Sequence, residues 1–182
     1  MAAMITDDLK SIEEDCIKRG IPFIEAKKGR WLANKIKDVK PRKVLELGTA
    51  NGYSGIILGS EGAELTTVEI DPKIACQAKN NFVRFNIKAR VVVADAVEAV
   101  SSLTRDENND QAFDLIFIDF AKKRYINILS GCLQLVKEGG LIIADNVNME
   151  KCSEFKETIL KHPKLKTEII EIGDGLSCSV KV

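Results

Sequence analysis

Several patterns that would announce a familiar chemistry are missing from this chain of 182 residues. No Gly-x-Gly-x-x-Gly run follows an apolar stretch, and no glycine loop ends in Lys-Ser or Lys-Thr, which argues against dinucleotide and ATP phosphate cradles. The five cysteines, Cys16, Cys76, Cys132, Cys152 and Cys178, stand singly and never as Cys-x-x-Cys. Neither a disulfide framework nor a zinc site is expected, and free thiols suit a reducing cytoplasm. The single histidine, His162, lies in a polar Lys-His-Pro turn. No apolar run approaches the length of a membrane span, and the first residues alternate apolar with charged where a signal peptide would be solidly apolar. Lys plus Arg equals Asp plus Glu at 27 each, so no broad basic field advertises nucleic acid or a membrane.

What is present is an apolar fraction of 45%, enough for one well-filled core, with no Pro/Gly/Ser-rich linker to divide it. A single domain is expected over 1–182, with helices in about 1–40 and an α/β core over 41–182. Leu9, Ile12, Cys16 and Ile17 fall at helical spacing within about Thr6–Arg19, before Gly20 and Pro22. A second helix is expected over about Ala26–Lys37, with Trp31 as a packing anchor. From Lys43 onward strands and helices alternate: Lys43–Leu47, Glu64–Ile70, Ala89–Ala94, Phe113–Asp119 and Gly140–Asp145 read as strands. That alternation predicts a doubly wound, mostly parallel sheet with helices on both faces. Asp71-Pro72 is a helix start, and Arg105–Gln111 a polar loop. After a helix near Cys152–Lys161, Lys166–Ile172 and Leu176–Val182 flank Gly173-Asp174-Gly175 and should pair as an antiparallel hairpin, completing seven strands.

The stretch from Val44 to Gly55 is the chemical centre. An apolar run stops at Glu46-Leu47-Gly48 and becomes a glycine-punctuated loop, read as a strand, a ligand-contacting turn and a helix start. Ligands of such sheets bind off the carboxyl ends of the strands, and here every strand end is acidic: Glu46, Glu69, Asp95, Asp119 and Asp145-Asn146. Glu69 follows Gly48 at the interval that places a carboxylate on ribose hydroxyls. Asp95-Ala96 suits either a flat base or a plain helix cap. Asp119, Asp145 and Asn146 bring three oxygen donors from neighbouring strand ends, a set for a hard cation, Mg²⁺ before Ca²⁺; two strand-ending caps are the plainer alternative.

These pieces occur in order as Val-Leu-Glu-Leu-Gly-Thr-Ala-Asn-Gly-Tyr-Ser, Val-Glu-Ile-Asp-Pro, Ala-Asp-Ala, Ile-Asp-Phe-Ala-Lys-x-x-Tyr and Ala-Asp-Asn-Val. Over about residues 20 to 150 the chain resembles the Mg²⁺-dependent, S-adenosylmethionine-using O-methyltransferases of the catechol and caffeoyl-CoA type. The resemblance implies a class I methyltransferase fold, with Glu46, the Gly48 backbone and Ser54 on the methionine end of the cofactor. It further implies Glu69 on the ribose, Asp95 and Ala96 by the adenine, and Asp119 near the amino group. Asp119, Asp145 and Asn146 would ligate the metal, with Lys122 as general base and Lys123 solvated. The implied acceptor is a small catechol-like or phenolic hydroxyl; a tRNA hydroxyl-nucleoside is an alternative, as is a non-catalytic nucleoside-binding protein. A homodimer is compatible with the resemblance. The run from Val147 to Gly173 is short for the family, so a more open acceptor pocket is expected, and Glu168 is a weaker candidate for a substrate contact.

Overall fold

The computed structural model describes residues 9–182. The first described helix, α1 (Lys10–Arg19), buries Ile12 and Cys16 and ends at Gly20 in the left-handed region, φ 64°. The part of the expected helix at 6–8 lies outside the described residues. Ile17, expected on the apolar face, is 71% exposed, because the inward stripe runs through Leu9, Ile12 and Cys16. Helix α2 (Ala26–Val39) extends two residues beyond the expected end and buries Lys28, Gly29, Leu32, Ala33 and Ile36. Trp31 packs half-buried against the same core, with the Lys35 ammonium 5.5 Å from its ring centre.

Strands β1 (Lys43–Leu47), β2 (Glu64–Glu69), β3 (Ala89–Val93), β4 (Phe113–Ile118) and β5 (Val136–Asp145) alternate with helices α3 (Tyr53–Gly59), α4 (Pro72–Arg84), α5 (Ala96–Leu103) and α6 (Leu129–Leu135). Helix α7 (Ser153–Lys161) then precedes β6 (Leu165–Ile170) and β7 (Leu176–Lys181). The seven strands lie in the order β3-β2-β1-β4-β5-β7-β6. β1 to β5 run parallel, and β7 enters antiparallel between β5 and the edge strand β6. The expected hairpin is therefore present, with its second strand on the inside. Strand β5 begins four residues before the expected Gly140, with a register shift against β4 between Phe113 and Leu115, where Gly139 adopts φ 74°. The loop after α5 holds one turn of 3₁₀ helix, Glu107–Asn109, capped by Asp106.

Helices on both faces explain why β4 is buried from Leu115 to Ile118 without alternation. One face packs Leu32, Ile36, Ile57 and Phe82 on the sheet; the other packs Val100, Ile128, Leu135 and Phe155. Helix α4 starts as the sequence indicates: Asp71 accepts from Lys73 N at 2.7 Å and Ile74 N at 3.2 Å, with Pro72 in the first turn. Successive strands depart in opposite directions from β1, so a crevice opens where β1 and β4 end side by side.

The two ends meet at Gly48. The Asp119 amide donates to Leu47 O at 2.8 Å, Gly48 has φ 102°, and a Cβ there would lie 1.9 Å from the Asp119 carbonyl oxygen. The glycine is thus required by the neighbouring strand. Gly48→Ala should lower stability by at least about 2 kcal/mol in urea denaturation; an unchanged midpoint would contradict this approach of the two strands.

Candidate functional site

The loop after β1 is held from below. Its Gly48 and Thr49 amides donate to Val68 O at 3.0 and 3.1 Å, and Ala50 N donates to Glu69 Oε2 at 2.9 Å. Gly52, at φ 95°, starts α3, and both Gly52 and Gly55 face the Phe82 ring. Glu46 is fully buried beneath this loop and accepts from Ser54 Oγ at 2.6 Å and Thr67 Oγ1 at 2.5 Å. Burial, then the charges of Asp119 and Glu69, outweighs these two hydrogen bonds and pushes its carboxyl up to about 8. Of the residues expected on the methionine end, Gly48 and Ser54 line the crevice, whereas Glu46 meets it only through Ser54.

The crevice is a cavity of about 320 Å³. Its floor is Gly48 to Ala50, its sides include Val68 to Ile70 and Ala94 to Ala96, and Ile21 to Ile24 with Tyr53 close it from the amino-terminal side. Glu69 lies in the wall and is pinned by two backbone amides, Ala50 N and, at 3.0 Å, Asp71 N. Asp95 and Ala96 also line the cavity. The Asp95 carboxylate caps α5 through Val97 N at 2.9 Å and forms a two-point ion pair with Arg124. Arg124, first among the causes, holds that carboxyl below its ordinary range. The helix-cap reading of Asp95 is therefore present in the structure, on a residue that also lines the cavity, and Arg124 is a cavity residue that no sequence signal marked.

Beyond the cavity floor the acids converge. Ile118 pairs with Ala144 across β4 and β5, so the next residues, Asp119 and Asp145, end adjacent parallel strands about 5 Å apart. Asp119 lines the cavity; Asp145 and Asn146 lie outside its lining. Lys122 donates to Asp119 Oδ1 at 2.5 Å, and Lys123 is exposed. Asp145 is 2% exposed; burial, then the like charge of Asp119, pushes its carboxyl up to about 6 against the pull of Lys28.

Lys28, itself 1% exposed, reaches in from the first turn of α2, donating to Asp145 Oδ1 at 2.5 Å and to Asp174 Oδ1. Burial disfavours its ammonium, yet the two carboxylates hold its pKa above the ordinary lysine value. Asn146, at φ 60°, donates its backbone amide to Asp145 Oδ1 at 2.7 Å and its side-chain amide to Asp174 Oδ2 at 2.7 Å. Neither Lys28 nor Asp174 was anticipated as part of this rim. The signal for Lys28 was its phase, since Lys28, Leu32 and Ile36 share one helix face. Glu168 is exposed in mid-strand, opposite Cys178, and Glu171, after the strand's end, accepts from Asn148 Nδ2 at 2.8 Å.

The donor chemistry of the rim suits a hard cation. Among hydrogen bonds from described residues, each expected ligand uses only part of its acceptor set, leaving Asp119 Oδ2, Asp145 Oδ2 and Asn146 Oδ1 free. No group of three or more His, Cys, Asp or Glu that could hold a metal occurs among the described residues; a cation held here would need the amide oxygen of Asn146 as a third donor. Two ammonium groups already sit on the two carboxylates, marking where positive charge is demanded. The five cysteines are free thiols, four of them buried, and no described helix is long and apolar enough to cross a membrane.

A seven-stranded sheet with an inserted antiparallel strand, and a crevice at its switch point, defines the class I methyltransferase fold. The chain belongs to the O-methyltransferase family, whose profile matches residues 7–182. It is similar to a catechol O-methyltransferase of Niastella koreensis, 32% identical over 77% of this chain and 69% of the relative. It is also similar to catechol O-methyltransferase B of Danio rerio, 30% identical over 84% of this chain and 63% of the relative; the match thus spans about two thirds of these relatives' length. A solved O-methyltransferase from Bacillus cereus in complex with SAH shares the fold, with a TM-score of 0.85, 24% identity and coverage of 96% and 90% of the two chains.

The titration of Glu46 has a definite sign. With its pKa raised from 4.5 to about 8, the folded chain binds more protons than the unfolded one between these values, so stability falls as pH rises through them. Glu46→Gln should therefore gain stability relative to the parent as urea midpoints are followed from pH 5 to pH 8. A pH-independent difference would mean that Glu46 is ionised throughout.

Proposed function

We propose that the protein transfers the methyl group of S-adenosylmethionine to a hydroxyl oxygen of a small catechol-like or phenolic acceptor, with a divalent cation at the rim. The observation that carries this reading is the juxtaposition of a nucleoside-sized crevice walled by Glu69 with three oxygens, on Asp119, Asp145 and Asn146, that accept no hydrogen bond from the described residues. The relatives' names, catechol O-methyltransferases, support the acceptor class. The zero net charge favours a small molecule over tRNA.

In this reading Glu69, pinned by amides, keeps lone pairs for the two ribose hydroxyls. Ala96 leaves room for a flat adenine, and Ile70 and Ile74 give it apolar surface. Ser54 and the first-turn amides of α3 take the methionine carboxylate, and the Asp119 carboxylate faces the amino group. Asp119, Asp145 and Asn146 would hold the cation, which when bound favours the deprotonated acceptor hydroxyl. Lys122, beside Asp119, receives the acceptor proton when it stands there as the neutral amine, the only form with a lone pair to take it. The oxygen then attacks the methyl carbon in line; a C–O bond forms as the C–S bond breaks, and the sulfonium leaves as a neutral thioether. The apolar wall from Ile21 to Ile24 keeps water from competing for the methyl group.

Incubating the protein with methyl-labelled S-adenosylmethionine, Mg²⁺ and a panel of catechols, phenolic thioesters, flavonoids and undermodified tRNA tests the assignment. Label should appear in a hydroxyl-bearing small molecule; label in tRNA alone would replace the acceptor class, and binding without transfer to any member would favour a non-catalytic protein. Lys122→Ala should retain S-adenosylhomocysteine affinity within about threefold while turnover falls about a hundredfold or more; equal losses in both would make the lysine structural. Exhaustive chelation should stop transfer and Mg²⁺ should restore it, so full activity after metal removal would overturn the cation.

A further inference from the structure

Four hydrogen bonds at the end of β5 close into a ring. Lys28 Nζ donates to Asp145 Oδ1 at 2.5 Å and to Asp174 Oδ1. Asp174 Oδ2 accepts Asn146 Nδ2 at 2.7 Å, and Asn146 N returns to Asp145 Oδ1 at 2.7 Å. Each bond removes a freedom. Two donors on Oδ1 fix the rotation of the Asp145 carboxylate and leave Oδ2 without a donor among the described residues. A carboxylate accepts only, so Asp174 compels the Asn146 amide to present its nitrogen there and leaves its oxygen without a donor among the described residues. The members come from the first turn of α2, the end of β5 and the turn before β7, so the ring is a tertiary device rather than a local turn.

We infer that Lys28 and Asp174 are a positioning pair, whose work is to aim the free oxygens of Asp145 and Asn146 at one cation. This rests on the cation-binding reading above. Packing alone explains the pair poorly: an apolar side chain at Lys28 would bury as well without needing two counter-charges, and its helix-face neighbours Leu32 and Ile36 are apolar. Outer partners of this kind typically alter metal affinity by ten- to a hundredfold.

The test is Mn²⁺ binding to the full chain without substrate, followed by the paramagnetic resonance of free Mn²⁺ and by calorimetry. It compares the parent, Lys28→Met, Asp174→Ala and the double variant, with S-adenosylhomocysteine affinity as the measure of an intact crevice. Each single variant should bind Mn²⁺ about ten- to a hundredfold more weakly, and the double variant no more weakly than the worse single, because one break opens the ring. S-adenosylhomocysteine affinity should stay within about threefold. A parent chain that binds no Mn²⁺ would overturn the cation reading itself. A parent that binds, with variants binding equally or more tightly or with losses that multiply, would overturn the positioning pair alone. Should Lys28→Met fail to fold, Asp174→Ala decides, since Asp174 lies partly exposed in a turn.

Discussion

Like charges ending adjacent parallel strands cannot stand without compensation, and this constraint organises the molecule. Asp119 and Asp145 follow residues paired in register, so the sheet itself forces two carboxylates together in a poorly hydrated place. The chain answers with Lys122 on one and Lys28 on the other. Because Lys28 belongs to α2, the amino-terminal segment is tied to the far end of the sheet by charge as well as by packing. A second tie joins Tyr53, at the start of α3, to Glu13 of α1 through a 2.5 Å hydrogen bond. The same segment supplies Ile21 to Ile24 to the cavity wall, so the groups that neutralise the rim also bring the wall that shields it.

Most of the architecture was legible because each element carried its own period. Apolar runs separated by capped helical stretches can form little besides a doubly wound sheet, and Gly173-Asp174-Gly175 marked the one antiparallel return. The acids at strand ends were legible for the same reason, since topology rather than side-chain detail brings them to one edge. Lys28 was not, because it follows Lys27 and only helical phase separates an exposed lysine from a buried one. Asp174 was hidden by its setting, a turn whose glycines account for an aspartate without further purpose. Arg124 lies in a basic stretch, Lys122-Lys123-Arg124, in which nothing marks the member that pairs with Asp95. The glycine loop is a tight strand-to-helix turn, and its glycines answer to protein neighbours that the sequence does not display: Gly48 yields to the Asp119 carbonyl, and Gly55 to Phe82 and Glu46.

Glu46 shows how a buried acid can set the polarity of a neighbour. It stands in register with Thr67 on β2, in a central strand covered on both faces, where an ionised carboxyl is disfavoured by burial. Its hydrogen bond with Ser54 joins two oxygens 2.6 Å apart, and only one proton can lie between them. If Glu46 is ionised, that proton is the serine's, and Ser54 turns only lone pairs toward the cavity, the wrong polarity for a carboxylate there. Its carboxyl is pushed up to about 8, and a protonated Glu46 would reverse that bond and donate to Ser54, while its other oxygen accepts from Thr67. The serine hydroxyl is then free to donate outward. Protonation of the floor acid would thus permit Ser54 the role proposed for it, and would keep a further negative charge away from a rim where Asp119 and Asp145 are already held by Lys122 and Lys28.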